Sequence, residues 1–121
     1  MMTDSEKRIK LAEAMEWHDF YEDKYGHPCG YEKGQPAAWH SITGSPTGSI
    51  LPDPFTDAND CNALIKHLNG LGVLVSVDFW SSGECIVVVD GFMYHGGTDD
   101  KWMHGVCELA LKVIEQGEND D

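Results

Sequence analysis

Val73-Leu74-Val75-Ser76-Val77-Asp78-Phe79-Trp80, then Ser81-Ser82-Gly83, then Glu84-Cys85-Ile86-Val87-Val88-Val89-Asp90 is the stretch that decides the fold. Apolar and other side chains alternate on both sides of a small, Gly-containing break, the period of two strands joined by a turn. Val73, Val75, Val77 and Phe79 are expected to face the core together with Cys85, Val87 and Val89. The other side mixes Leu74, Ile86 and Val88 with polar residues and is expected to be partly covered. The hairpin is placed at 73–92, with Phe92-Met93-Tyr94 extending the sheet until His95-Gly96-Gly97 breaks it.

Helical spacing takes over on either side. Upstream, Ala58, Cys61, Leu64, Ile65 and Leu68 form one apolar stripe, which predicts a helix over 57–69 with Thr56 as N-cap. Asn69-Gly70 supplies a left-handed stop. Downstream, Trp102, Met103, Val106, Leu109, Ala110, Val113 and Ile114 predict a buried helix over 99–116, capped by Thr98. Gly117 ends it, and 117–121 is an acidic tail. At the start, Thr3 followed by Glu6 fits a capping box ahead of Ile9, Ala12 and Met15, so a helix is expected over 4–16. Between lie residues 17–55. Trp17 to Tyr21 favours a strand, and weak strand is placed near Ala38 to Ile42. All five prolines and many glycines punctuate this segment, which excludes a long helix. The stretch Ser41 to Ser49 is small, polar and expected to be mobile. The expected core is Leu64, Ile65, Leu68, Val75, Val77, Val87, Val106, Leu109 and Val113. The fold class is α+β: a small layered sandwich, one domain over 1–121, of three helices with an antiparallel or mixed sheet.

Charge narrows the partners. Eight Lys and Arg face 21 Asp and Glu, a net charge of −13. Such a field repels phosphate backbones and anionic membranes, so direct nucleic-acid binding is not expected. No apolar run approaches the ~20 residues of a membrane span, and the N-terminus lacks the apolar stretch of a signal peptide. A cytoplasmic location is expected. Cys29, Cys61, Cys85 and Cys107 form no Cys-x-x-Cys pair and read as reduced core residues.

Motifs for chemistry are scarce. No phosphate-cradling glycine loop is present. Gly44-Ser45-Pro46-Thr47-Gly48 has its serine one place too early for a nucleophile elbow. His27, Cys29, His104 and Cys107 include zinc-ligand types, but the His27/Cys29 spacing is tight and Cys107 borders an apolar stripe. Asp78, Asp90, Asp99 and Asp100 lie on or near strand ends, where sites often form, but with 21 acids in the chain several fall there by chance. No catalytic residue, metal or cofactor is expected. Aromatics crowd the stretch from Trp17 to Phe55, and exposed aromatics make protein anchors. Tyr31, Trp39 and Trp80 are the candidates for partner contact.

Three stretches carry a family resemblance: Arg8-Ile-Lys-Leu-Ala-Glu-Ala-Met-Glu-Trp17; Leu51-Pro-Asp-Pro-Phe-Thr-Asp57 leading into Ala58 to Leu68; and Cys107-Glu-Leu-Ala-Leu-Lys112. In these the chain resembles the phage ABA sandwich domain, a family of small phage and prophage proteins. The resemblance implies a layered α/β sandwich and carries over no catalytic residues. The function expected is a small acidic phage-type accessory protein. It would act as a non-enzymatic binding module engaging a host or defence protein with a basic surface. The alternatives are a binder of a small nucleotide-like ligand, with aromatic loops stacking the base, and an enzyme of unknown class.

Overall fold

Thr3 opens the first helix, its hydroxyl accepting from the Glu6 N–H at 3.2 Å. In the computed structural model, which describes residues 2–119, this helix is α1 (Asp4–Ala14). It ends two residues earlier than the sequence predicts. Glu16 takes a left-handed φ of 71°, and the Glu16 and Trp17 N–H groups return to the carbonyls of Glu13 and Ala12. This is a Schellman closure with glutamate in the place glycine usually takes.

The contacts divide the chain into two compact units, Met1–Pro52 and Asp53–Asp121. The first joins α1 to a three-stranded antiparallel sheet, β1 (His18–Glu22), β2 (Pro28–Tyr31) and β3 (Ser49–Ile50), in that order. Trp39 and Pro46 form an isolated bridge where a weak strand was expected over Ala38 to Ile42. β1 pairs His18 with Tyr31 and Tyr21 with Cys29, so Asp19 and Phe20 together face Gly30. Asp19 takes φ 53° at this bulge. Gly30 leaves room for it: a Cβ there would stand 2.9 Å from the Phe20 ring.

The second unit holds α2 (Ala58–Gly70), then β4 (Val75–Phe79), β5 (Cys85–Val89) and β6 (Phe92–Gly96) as an antiparallel meander, and α3 (Trp102–Asn119). The fold class is α+β, with three α-helices and two three-stranded antiparallel sheets among the described residues. Asp57, not Thr56, caps α2, accepting from the Asp60 N–H at 3.1 Å, while the Thr56 hydroxyl donates to Asp53. The stop of α2 falls at Gly72 (φ 84°) rather than Asn69-Gly70, again by a Schellman closure from Gly72 and Val73 to Asn69 and Leu68. β4 pairs with β5 with Val75 opposite Val89, Val77 opposite Val87 and Phe79 opposite Cys85, the residues expected to share a face, but Phe79, expected to be buried there, is exposed. A second tight turn follows. Asp90 (φ 51°) and Gly91 (φ 88°) make a two-residue loop of type I′ between the paired Val89 and Phe92. Thr98 precedes a 3-10 turn, Asp99–Lys101, and its hydroxyl donates to Asp100 instead of capping α3. α3 passes through Gly117, and the expected tail residues Asp120 and Asp121 lie outside the described residues.

Leu64, Leu68, Val87, Val106 and Leu109 are buried as expected, whereas Ile65, Val75, Val77 and Val113 are only half-buried. For the two valines the reason is position: β4 is an edge strand, and only the central β5 is covered from both sides. All four cysteines are free, buried thiols. A hydrogen bond to Cys61, and then burial, push the Cys107 thiol upward, so it stays protonated. Gly105 sets the distance between α3 and the sheet. A Cβ there would lie 2.5 Å from the Tyr94 ring and 3.0 Å from Val87 Cγ2. Gly105→Ala is therefore expected to destabilise by about 1–3 kcal/mol through overpacking, although alanine is the better helix former by about 1 kcal/mol. A rise in the thermal midpoint would show that α3 moves freely on the sheet.

Candidate functional site

The first unit carries a loop built to present side chains. Residues 38–47 are closed by backbone bonds from His40 to Ser45 (2.7 Å), Gly44 to His40 (2.8 Å) and Thr47 to Ala38 (3.1 Å). His40 Nδ1 accepts from the Ile42 N–H at 3.3 Å inside the loop. These bonds give the loop a defined path through Thr47. Trp39 and Ile42 project from it, 64% and 87% exposed.

Tyr31 is a correction to the sequence reading. It is 4% exposed and so makes no anchor for a partner. Its ring lies 6.1 Å from both His18, stacked, and Tyr21, tilted. Its hydroxyl donates to the Ala38 carbonyl at 2.6 Å and accepts from the Thr47 N–H at 3.1 Å. Tyr31 is thus a strut between β2 and the two ends of the Trp39 loop. Tyr31→Phe removes both bonds and should cost about 0.5–1.5 kcal/mol, since the Thr47 N–H and the Ala38 carbonyl keep their bond to each other. Amide exchange at Thr47 should rise with it; unchanged protection there would remove the strut role.

Two depressions flank the loop. One, of about 170 Å³, is lined by Trp39, Pro46, Tyr21, Phe20, Asp19 and Tyr31 among others. The other, of about 460 Å³, shares Tyr21 and Pro46 and adds Tyr25, Ile50, Lys24 and the acids Glu22 and Asp23. Tyr21, Tyr25 and Pro46 had no place among the sequence candidates. Asp23, two residues before Tyr25, is the signal that could have found the turn. Its carboxylate accepts from the N–H groups of His27 (2.8 Å) and Tyr25 (2.9 Å). Those donors, His27 first, hold it below the usual carboxylate range. Tyr25 is exposed, with Lys24 Nζ 5.1 Å from its ring centre. A hydrogen bond from its Nδ1 to the Asp19 carboxylate, at 2.5 Å, raises His18 above its ordinary value. Cys29 lines the larger depression, and burial keeps its thiol protonated. The wall is therefore aromatic and anionic, a surface that suits Lys and Arg side chains by charge and by cation–π contact.

In the second unit Trp80 sits at the hairpin tip, 50% exposed, its N–H donating to the Glu84 carbonyl at 2.9 Å. Its ring is 5.9 Å from His95, whose Nε2 lies 3.2 Å from Glu84 Oε2. Of the zinc-type residues, Cys29 Sγ donates to the His27 carbonyl at 3.5 Å, and His104 Nε2 lies 3.9 Å from Glu108. Among the described residues no group of three or more His, Cys, Asp or Glu side chains is placed to hold a metal ion, and no helix is long and apolar enough to cross a membrane. No family model, curated protein or solved structure matches the chain.

Proposed function

We propose that the chain is a phage-type accessory protein without enzymatic activity, binding a host or defence protein through a Lys- and Arg-bearing surface, with Trp39 as its anchor. The observation that supports this reading most is the Trp39 loop. A large aromatic is held in water at 64% exposure by a hydrogen-bonded frame, beside a depression whose charged residue is Asp19. Exposed tryptophan on an ordered backbone loses little entropy on binding and offers a large contact area. The net charge of −13 favours a basic partner and speeds its encounter. The resemblance to small phage proteins supplies the setting.

The test is binding of the immobilised chain to a panel of Lys- and Arg-containing peptides and their Gln-substituted counterparts. Trp39→Ala should weaken binding tenfold or more, about 1.4 kcal/mol, with the thermal midpoint unchanged, while salt should slow association more than it speeds release. Wild-type binding by Trp39→Ala, or melting caused by the substitution, would overturn the reading.

A further inference from the structure

β4 is an end strand of its sheet, with one side unpaired by any strand of that sheet. The Trp80 N–H bonds to Glu84 and the Asp90 N–H to Leu74. With the register of β4 on β5, the even-numbered residues of β4 therefore direct their backbone groups at β5. The N–H and C=O of Val75, Val77 and Phe79 point the other way. Such an edge is usually blunted by lysine, proline or a bulge. Here Val75 to Phe79 contains none, and its pairing runs without the shift seen in β1. Around this open edge Leu74 is 81%, Phe79 57% and Trp80 50% exposed.

We propose that a second copy of this chain occupies the edge, the two β4 strands pairing antiparallel about a two-fold axis at Val77. The sequence is self-complementary in that register. Val77 meets its counterpart, Val75 meets Phe79, Leu74 meets Trp80, and the Ser76 hydroxyl faces the Asp78 carboxylate, each unlike pair occurring twice. β-branched–aromatic pairs and a hydroxyl donating to a carboxylate are favourable across strands, whereas like charges directly opposite are not. Of the two registers shifted by two residues, one sets Asp78 against Asp78 and the other sets Ser76 against Ser76 with Phe79 opposite Val73. The two three-stranded sheets become one of six strands. The side-chain surface available on Leu74, Phe79 and Trp80 is on the order of 700 Å² over both copies, below the roughly 1,000 Å² of a stable interface, so the backbone ladder must supply much of the pairing and the dimer is weak and concentration-dependent. Each copy carries −13, and the resulting repulsion is screened by salt. Dimerisation therefore strengthens as salt rises, the reverse of binding to a basic partner.

Sedimentation equilibrium of the whole chain tests this at low and high salt. Apparent mass should climb from 13.4 kDa toward twice that value with concentration, and further at high salt. Ser76 is exposed, so Ser76→Lys and Ser76→Glu should both fold, as circular dichroism will check. Ser76→Lys, placed opposite Asp78, should tighten the dimer roughly three- to tenfold, and Ser76→Glu should loosen it by a similar factor. The proposal is overturned if the mass stays at 13.4 kDa up to about 1 mM, or if both variants shift it in the same direction. Protection of the Val75, Val77 and Phe79 amides by a Lys-rich extended peptide, with no self-association, would overturn it too and assign the edge to a basic strand.

Discussion

Replacing Leu64 by Ala is expected to cost about 2–5 kcal/mol. Leu64 is fully buried in α2, on the same face as the equally buried Cys61 and Leu68. Close-packed neighbours fixed on regular elements collapse only partly around a lost isobutyl group, so the cavity adds to the lost transfer energy. The thermal midpoint should fall by roughly 10 °C or more. Leu64→Met, which keeps the volume, should cost less than about 1.5 kcal/mol. Equal losses for the two variants would mean that side-chain shape, not volume, governs this site.

Gly48→Val should be comparably severe, for a different reason. A Cβ at Gly48 would stand 2.5 Å from the Gly30 carbonyl oxygen and 2.9 Å from both Cε1 and the hydroxyl of Tyr21. The tyrosine has some freedom to turn, but the carbonyl belongs to β2, which the Leu51 N–H also clamps at Pro28 (3.0 Å). The backbone must shift, and we expect a loss of about 3 kcal/mol or more. Gly97→Ala is the control, since a Cβ there meets nothing within 4 Å. Near-neutral Gly48→Val in urea unfolding would show that the β2–β3 contact is adaptable.

Much of the fold is legible in the sequence because local chemistry and tertiary packing agree there. Thr3 caps a helix and does so in the structure; Val75, Val77 and Phe79 alternate and share a face with Cys85, Val87 and Val89 as expected. What escapes has a physical cause in each case. β2 begins with proline and contains Gly30, both poor strand formers, yet it is paired on both sides, with the Phe20 ring lying against that glycine. Asp90-Gly91 is a strong turn signal, but the apolar run before it reads as continuing into the next strand. Gly105, silent in the helical stripe, is fixed by the Tyr94 ring. At the candidate site exposure was the missing quantity. Composition places Tyr31 and Trp39 in the same irregular stretch, but only the Tyr31 hydrogen bonds to Ala38 and Thr47 separate the buried strut from the exposed tryptophan.

The turn at Asp90-Gly91 bears on the order of events in folding. β4, β5 and β6 are neighbours in sequence as well as in the sheet, joined at residues 80–84 and 90–91, so each pairing closes only a short loop. β2 and β3 must instead meet across residues 32–48. Loop closure comes before the contacts that reward it, and near-diagonal pairings form fastest. The meander should therefore gain its amide protection ahead of the β2–β3 ladder after dilution from denaturant. The Trp39–Pro46 bridge and the Tyr31 strut, by folding the long connection back on itself, shorten the distance that β3 must search.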